Sequence, residues 1–124
     1  PPITGAAPSE STIQVTNNVL TSNEVVACSP ASTSPAITSL EDDDFLFRTP
    51  PSDALQGQVL AQIASEELGA SSASTLYLNN SYGQALQESF VSAFEGMDGT
   101  VVQQVGFESQ QSSYTSQINS ALNQ

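Results

Sequence analysis

A chain of 124 residues is long enough for one domain or for parts of two, and it carries 13 acidic residues against a single basic one, a net charge of −12. With Arg48 as the only cation there is no basic patch to displace counterions from a phosphate backbone, so nucleic acid is excluded as a partner. Only 11% of residues are charged and about a quarter are Ser or Thr, which describes an uncharged polar surface rather than an acidic disordered tail.

In chain order, Ile3-Thr4-Gly5-Ala6 reads as the end of a short strand breaking into a loop. Ser9 then stands where it can cap a helix running to about Leu20, although Ile13, Val15, Val19 and Leu20 are only loosely helical in spacing. Val25 to Cys28 is a short continuous apolar run of the kind found in strands covered on both faces, and Ser29-Pro30 ends it. Cys28 is read there as a buried small residue. Phe45-Leu46-Phe47 is the next strand, closed by Thr49-Pro50-Pro51, because proline stops both helix and ladder. From Ser52 as cap, Leu55, Val59, Leu60, Ile63, Ala64 and Leu68 fall at helical spacing, and Gly69 ends the run. Thr75 to Leu78 makes a strand that ends in Asn79-Asn80. A helix follows with Ala85, Leu86, Phe90, Val91 and Phe94 on one face, ending near Gly96. Thr100 to Phe107 is the last strand, and Tyr114, Ile118 and Leu122 mark a final helix.

Strands alternating with helices predict parallel βαβ units with right-handed crossovers and helices on both faces of a sheet, an α/β fold. Ligands in such sheets sit beyond the carboxyl ends of the strands, which directs attention to three loops. Gly5 to Ser9 brings a hydroxyl and a helix start to a strand end, suited to a carboxylate, while Ser9 as a mere helix cap explains the same residues. Ser29-Pro30-Ala31-Ser32-Thr33 offers uncharged donors and acceptors, or is simply a polar turn. Asn79-Asn80-Ser81-Tyr82-Gly83 offers an aromatic ring with a hydroxyl, or a tyrosine packed on its own domain. Asn79-Asn80-Ser81 also fits the glycosylation acceptor pattern.

Catalytic chemistry lacks its usual groups. Without His or Lys there is no Ser-His-Asp triad, no Schiff base and no phosphate-binding lysine, and a phospho-receiver domain would need that lysine too. Glu66 and Glu67 are neighbours on a helix and point apart. Cys28 has neither a disulfide partner nor a base to activate it. Asp42, Asp43 and Asp44 are consecutive, without the alternation and glycine of a calcium loop, so no metal site is expected and no cofactor either. The scattered carboxylates fit a salty or extracytoplasmic medium. No stretch approaches the roughly 20 apolar residues of a membrane span. Pro1-Pro2-Ile3-Thr4 has no signal-like core, so an export signal is expected upstream.

Four groups of residues occur in a telling order: Ser29-Pro30-Ala31-Ser32-Thr33; then Phe47-Arg48-Thr49 with Ser52-Asp53 and Gln56-Gly57; then Glu67-Leu68-Gly69-Ala70; then Ser81-Tyr82-Gly83. In order and spacing they resemble the landmarks of leucine/isoleucine/valine-binding proteins, the type I periplasmic solute-binding proteins of ABC transporters. The resemblance implies two Rossmann-like α/β lobes gripping a ligand between them, with residues 1–50 in the first lobe and 51–124 in the second. It implies a non-enzymatic, extracytoplasmic protein that delivers an amino acid, an amide or a similar small polar solute to a membrane permease. It also implies that the chain is a piece of something longer, whose exposed half-lobes allow pairing with another copy.

By position, Ser9 and Thr33 would then bond the α-carboxylate or α-ammonium of the solute, Ala31 and Ser32 would contribute backbone groups, and Tyr82 would approach from the other lobe. Pro8 stands where some relatives carry a cysteine, which removes a disulfide there. Arg48 has two uses open to it, pairing with Asp42, Asp43, Asp44 or Asp53, or meeting a ligand carboxylate; its position favours the structural one. A sensor or receptor domain of the same fold is the rival function.

Overall fold

The computed structural model describes residues 1–123. They form two compact units, one from Pro1 to Asp53 and one from Ala54 onwards.

The first unit is built on three short parallel strands, β1 (Ile3–Thr4), β2 (Ala27–Ser29) and β3 (Leu46–Arg48), in the order β1-β2-β3. Thr4 pairs with Cys28 and Cys28 with Phe47. Between β1 and β2 runs α1 (Ser9–Val15), which continues as a π-helical turn at Thr16–Leu20 and a 3-10 turn at Thr21–Asn23. Thr16 Oγ1 donates to the Thr12 carbonyl at 2.8 Å and Thr21 Oγ1 to the Thr16 carbonyl at 3.2 Å, so side chains compete for the helix's own acceptors where it widens. Glu24, in the left-handed region at φ 53°, ends the segment. Leu20, Ala27, Ile37 and Leu46 form the core, with Ile13, Val25 and Leu40 packed against it.

Two strand boundaries differ from the pattern. Val25 and Val26 precede β2, because the Val25 amide bonds back to the Leu20 carbonyl and belongs to the turn. β3 starts at Leu46 rather than Phe45, and Cys28 is half-buried in β2 rather than buried.

The second unit holds most of α2 (Asp53–Gln62), which lengthens into a π turn at Ile63–Glu67, then β4 (Ser72–Leu78), α3 (Ser81–Glu95), β5 (Thr100–Phe107) and α4 (Thr115–Leu122). β4 and β5 pair in parallel, with an irregularity between Ala73 and Ser74. Gln87 of α3 donates to Gln104 Oε1 at 2.8 Å, while the adjacent Gln103 donates to the Asn123 carbonyl just past α4 at 3.3 Å. Neighbours along a strand point to opposite faces, so α3 and α4 cover the two faces of this sheet. Phe94 is fully buried and stacks on Phe90 at 5.4 Å, and Phe107 meets Tyr114 edge-on at 5.3 Å. α2 and α3 approach closely at Gly57, where a Cβ would lie 2.7 Å from the Phe90 amide nitrogen.

Candidate functional site

The loops after β1 and β2 are joined by hydroxyls. The Ala6 carbonyl accepts from Ser29 Oγ at 2.6 Å and Thr12 Oγ1 at 2.9 Å, and Ser32 Oγ lies 2.6 Å from Ser29 Oγ, 2.8 Å from Thr12 Oγ1 and 3.0 Å from the Ala7 carbonyl. All three hydroxyl side chains are buried. Each hydroxyl has one proton and two lone pairs, so a cluster of this kind satisfies itself without charge and fixes the mutual position of the two loops. The Ser32 amide, expected to face a solute, donates to Ser29 Oγ at 3.1 Å.

Ser9 does not cap α1. Pro8 is the capping residue, extended at ψ 137°, and its carbonyl accepts the Thr12 amide at 3.0 Å; Ser9 is the first helical residue. Its hydroxyl, 4% exposed, instead accepts the Ser34 amide at 3.2 Å. That bond ties the start of α1 to the loop after β2.

Thr33 carries the most polarised contact of the loop. Its Oγ1 donates to Asp53 Oδ2 at 2.6 Å, and the Asp53 amide donates back to the Thr33 carbonyl at 2.8 Å. Asp53 is 1% exposed and opens α2, where the helix's free amides favour an acidic side chain. The Arg48 guanidinium serves the same loop: it donates to the Ser34 carbonyl at 2.8 Å, to the Ser32 carbonyl at 3.4 Å and to Thr38 Oγ1 at 2.5 Å. Arg48 thus has a structural place on loop carbonyls. Ala31, at the tip, is exposed.

Ser9, Ala31, Ser32 and Thr33 are therefore neighbours in the first unit. Tyr82 belongs to the second, as the second residue of α3, where its amide donates to Asn80 Oδ1 at 3.1 Å. It is 40% exposed and lines an apolar groove of about 530 Å³ between α2, β4 and α3. Asp53, Thr12 and Ser29 escaped attention in the sequence. A signal for Asp53 existed only in its place at a helix start, and nothing local pointed to a partner 20 residues earlier.

The arrangement offers neutral donors and acceptors around a loop tip, and among the described residues no three of His, Cys, Asp and Glu gather to hold a metal. Such a surface recognises a small polar molecule by hydrogen bonds. The model of the receptor family ligand binding region matches residues 3–124. The leucine binding protein LivK of Thermotoga maritima superposes with a TM-score of 0.83 over 95% of this chain and 33% of its own, at 25% identity. An ABC transporter substrate-binding protein of Desulfitobacterium hafniense, solved in complex with Leu, is also 25% identical, with a TM-score of 0.71 over 93% of this chain and 32% of its own. A periplasmic binding protein of Burkholderia mallei, 15% identical with a TM-score of 0.79 over 96% of this chain and 32% of its own, agrees in fold. The chain thus spans about a third of the length of these structures. No curated protein matches it.

Proposed function

The chain belongs to the receptor family of ligand-binding regions, with the fold of type I periplasmic binding proteins, and on that premise we propose that it is the part of an extracytoplasmic solute-binding protein that holds an amino acid or amide for an ABC transporter. The observation that carries the proposal is the loop from Ser29 to Thr33. It lies beyond the carboxyl end of β2, is welded to the loop after β1 by buried hydroxyls, and carries no general acid or base of its own. A rigid, neutral loop of that kind binds a solute with little ordering cost.

In this proposal residues 1–50 and 51–124 belong to two lobes of a longer protein. Thr33 and the backbone at Ala31 meet the solute's charged ends. Ser9 and Ser32, whose hydroxyls are committed within the protein, act on it by holding that loop in place, and Tyr82 approaches from the second lobe. The permease of the transporter is the macromolecular partner.

Thermal-shift screening of the full-length protein against amino acids, amides and ureas tests the proposal. A melting temperature raised by at least one amino acid or amide is the expected result, and a shift only with an unrelated class of ligand refutes it. The family's description as a receptor region favours a second reading, a sensor that signals on closure. A membrane-spanning or signalling domain in the same polypeptide would decide for it.

A further inference from the structure

Thr33 is proposed above to meet one end of the solute, and the following inference rests on that reading. Which end it meets depends on where its hydroxyl proton goes. A threonine hydroxyl has one proton to give and two lone pairs to receive with, whereas a carboxylate only receives. At 2.6 Å from Asp53 Oδ2 the Thr33 proton lies on that bond. The side chain is β-branched and stiff at χ1, and the Asp53 amide grips the Thr33 carbonyl at 2.8 Å, so backbone and side chain are held together at two points. Arg48 faces the carbonyls of Ser32 and Ser34 and Thr38 Oγ1 instead.

We propose that Asp53 is a positioning residue: by taking the single hydroxyl proton of Thr33 it makes that hydroxyl a pure acceptor toward solute, so that this position takes an N–H donor, such as the ammonium of an amino acid, and rejects a carboxylate. The buried charge of Asp53 acts in the same sense, since a cation placed on Thr33 lies beside a carboxylate that water does not screen. A carboxylate placed there would find lone pairs facing lone pairs. The region selects the end of the solute by the direction of one hydrogen bond.

The test uses the full-length protein, whichever common amino acid raises its melting temperature most, and the 2-deamino carboxylic acid of the same skeleton, with both affinities measured by calorimetry. Wild type is expected to favour the amino acid by about a hundredfold or more, because a site with unpaired acceptors penalises a ligand without the donor. In Asp53→Asn the side-chain amide can donate to Thr33, freeing the hydroxyl proton. The preference should then fall by about tenfold or more, mostly through weaker binding of the amino acid. Thr33→Ser keeps the hydroxyl and should hold the preference within about threefold. If Asp53→Asn fails to fold, Thr33→Val, which removes the hydroxyl, should show the same fall.

A wild-type protein that binds the deamino acid as tightly as the amino acid overturns this inference and leaves solute binding intact. So does an Asp53→Asn or Thr33→Val protein that weakens both ligands by one factor, since that is the mark of a merely structural bond. A wild type that binds no amino acid at all overturns the function proposed above and this inference with it.

Discussion

Substituting Gly83 by alanine should destabilise the second unit, against the usual direction for a glycine inside a helix. Gly83 is the third residue of α3, and an alanine in a helix interior normally gains roughly 0.5–1 kcal/mol over glycine. Here an added Cβ would stand 2.1 Å from the Leu78 carbonyl oxygen and 2.9 Å from the Leu78 nitrogen and carbonyl carbon, where ordinary contact begins at 3.4 Å. The obstacle is backbone at the end of β4 and cannot rotate away. The first turn of α3 must retreat by about 1 Å, which strains the Asn80 cap, whose Oδ1 accepts the Tyr82 amide at 3.1 Å and the Gly83 amide at 2.9 Å. Overpacking of this kind costs about 1–3 kcal/mol and a lost cap about 1 kcal/mol more, so the net loss after the helix gain is about 2 kcal/mol. For a unit of about 70 residues that lowers the melting temperature by on the order of 10 °C. Circular-dichroism melts of Gly83→Ala beside wild type give the answer. An unchanged or raised melting temperature would refute the close approach on which the argument stands.

Gly69→Ala is the matching control, because no atom lies within 4 Å of the added Cβ but φ is +62°; a loss of about 1 kcal/mol from backbone conformation alone is expected in urea unfolding. Phe94→Ala removes a fully buried ring stacked on Phe90 and should cost about 3–5 kcal/mol in the same assay, with a loss under about 1 kcal/mol showing that the ring is not in the core. Asn80→Ala deletes the acceptor of two amides and should cost about 1 kcal/mol, read as a lower urea midpoint at unchanged slope. Arg48→Met takes the net charge from −12 to −13 and leaves the Ser34 carbonyl without its donor; a loss of about 1–3 kcal/mol is expected, and none if the guanidinium is dispensable to the loop.

Much of the chain's architecture was legible because its signals are local. The apolar spacing from Ala85 to Phe94, the alternation from Thr100 to Phe107 and the Gly69 stop each act within a turn or two of chain, and α3, β5 and the end of the α2 segment follow them. Composition was equally direct: a chain with one cation and no histidine excludes whole classes of chemistry before any fold is known. The α1 segment was less legible, since threonine hydroxyls that bond back to helix carbonyls leave no periodic trace, and the capping role read for Ser9 fell to Pro8 for want of any way to rank adjacent residues.

The site depended on tertiary structure. With about a quarter of the residues Ser or Thr, one hydroxyl looks like another in sequence. What separates Thr33 from Ser32 is the partner that folding brings to it, a buried carboxylate 20 residues away for the one and a cluster of neutral loop groups for the other. Periodicity and cap chemistry reach about four residues along a chain; the pairing of Thr33 with Asp53 exists only once β2, β3 and the start of α2 have set the two loops side by side.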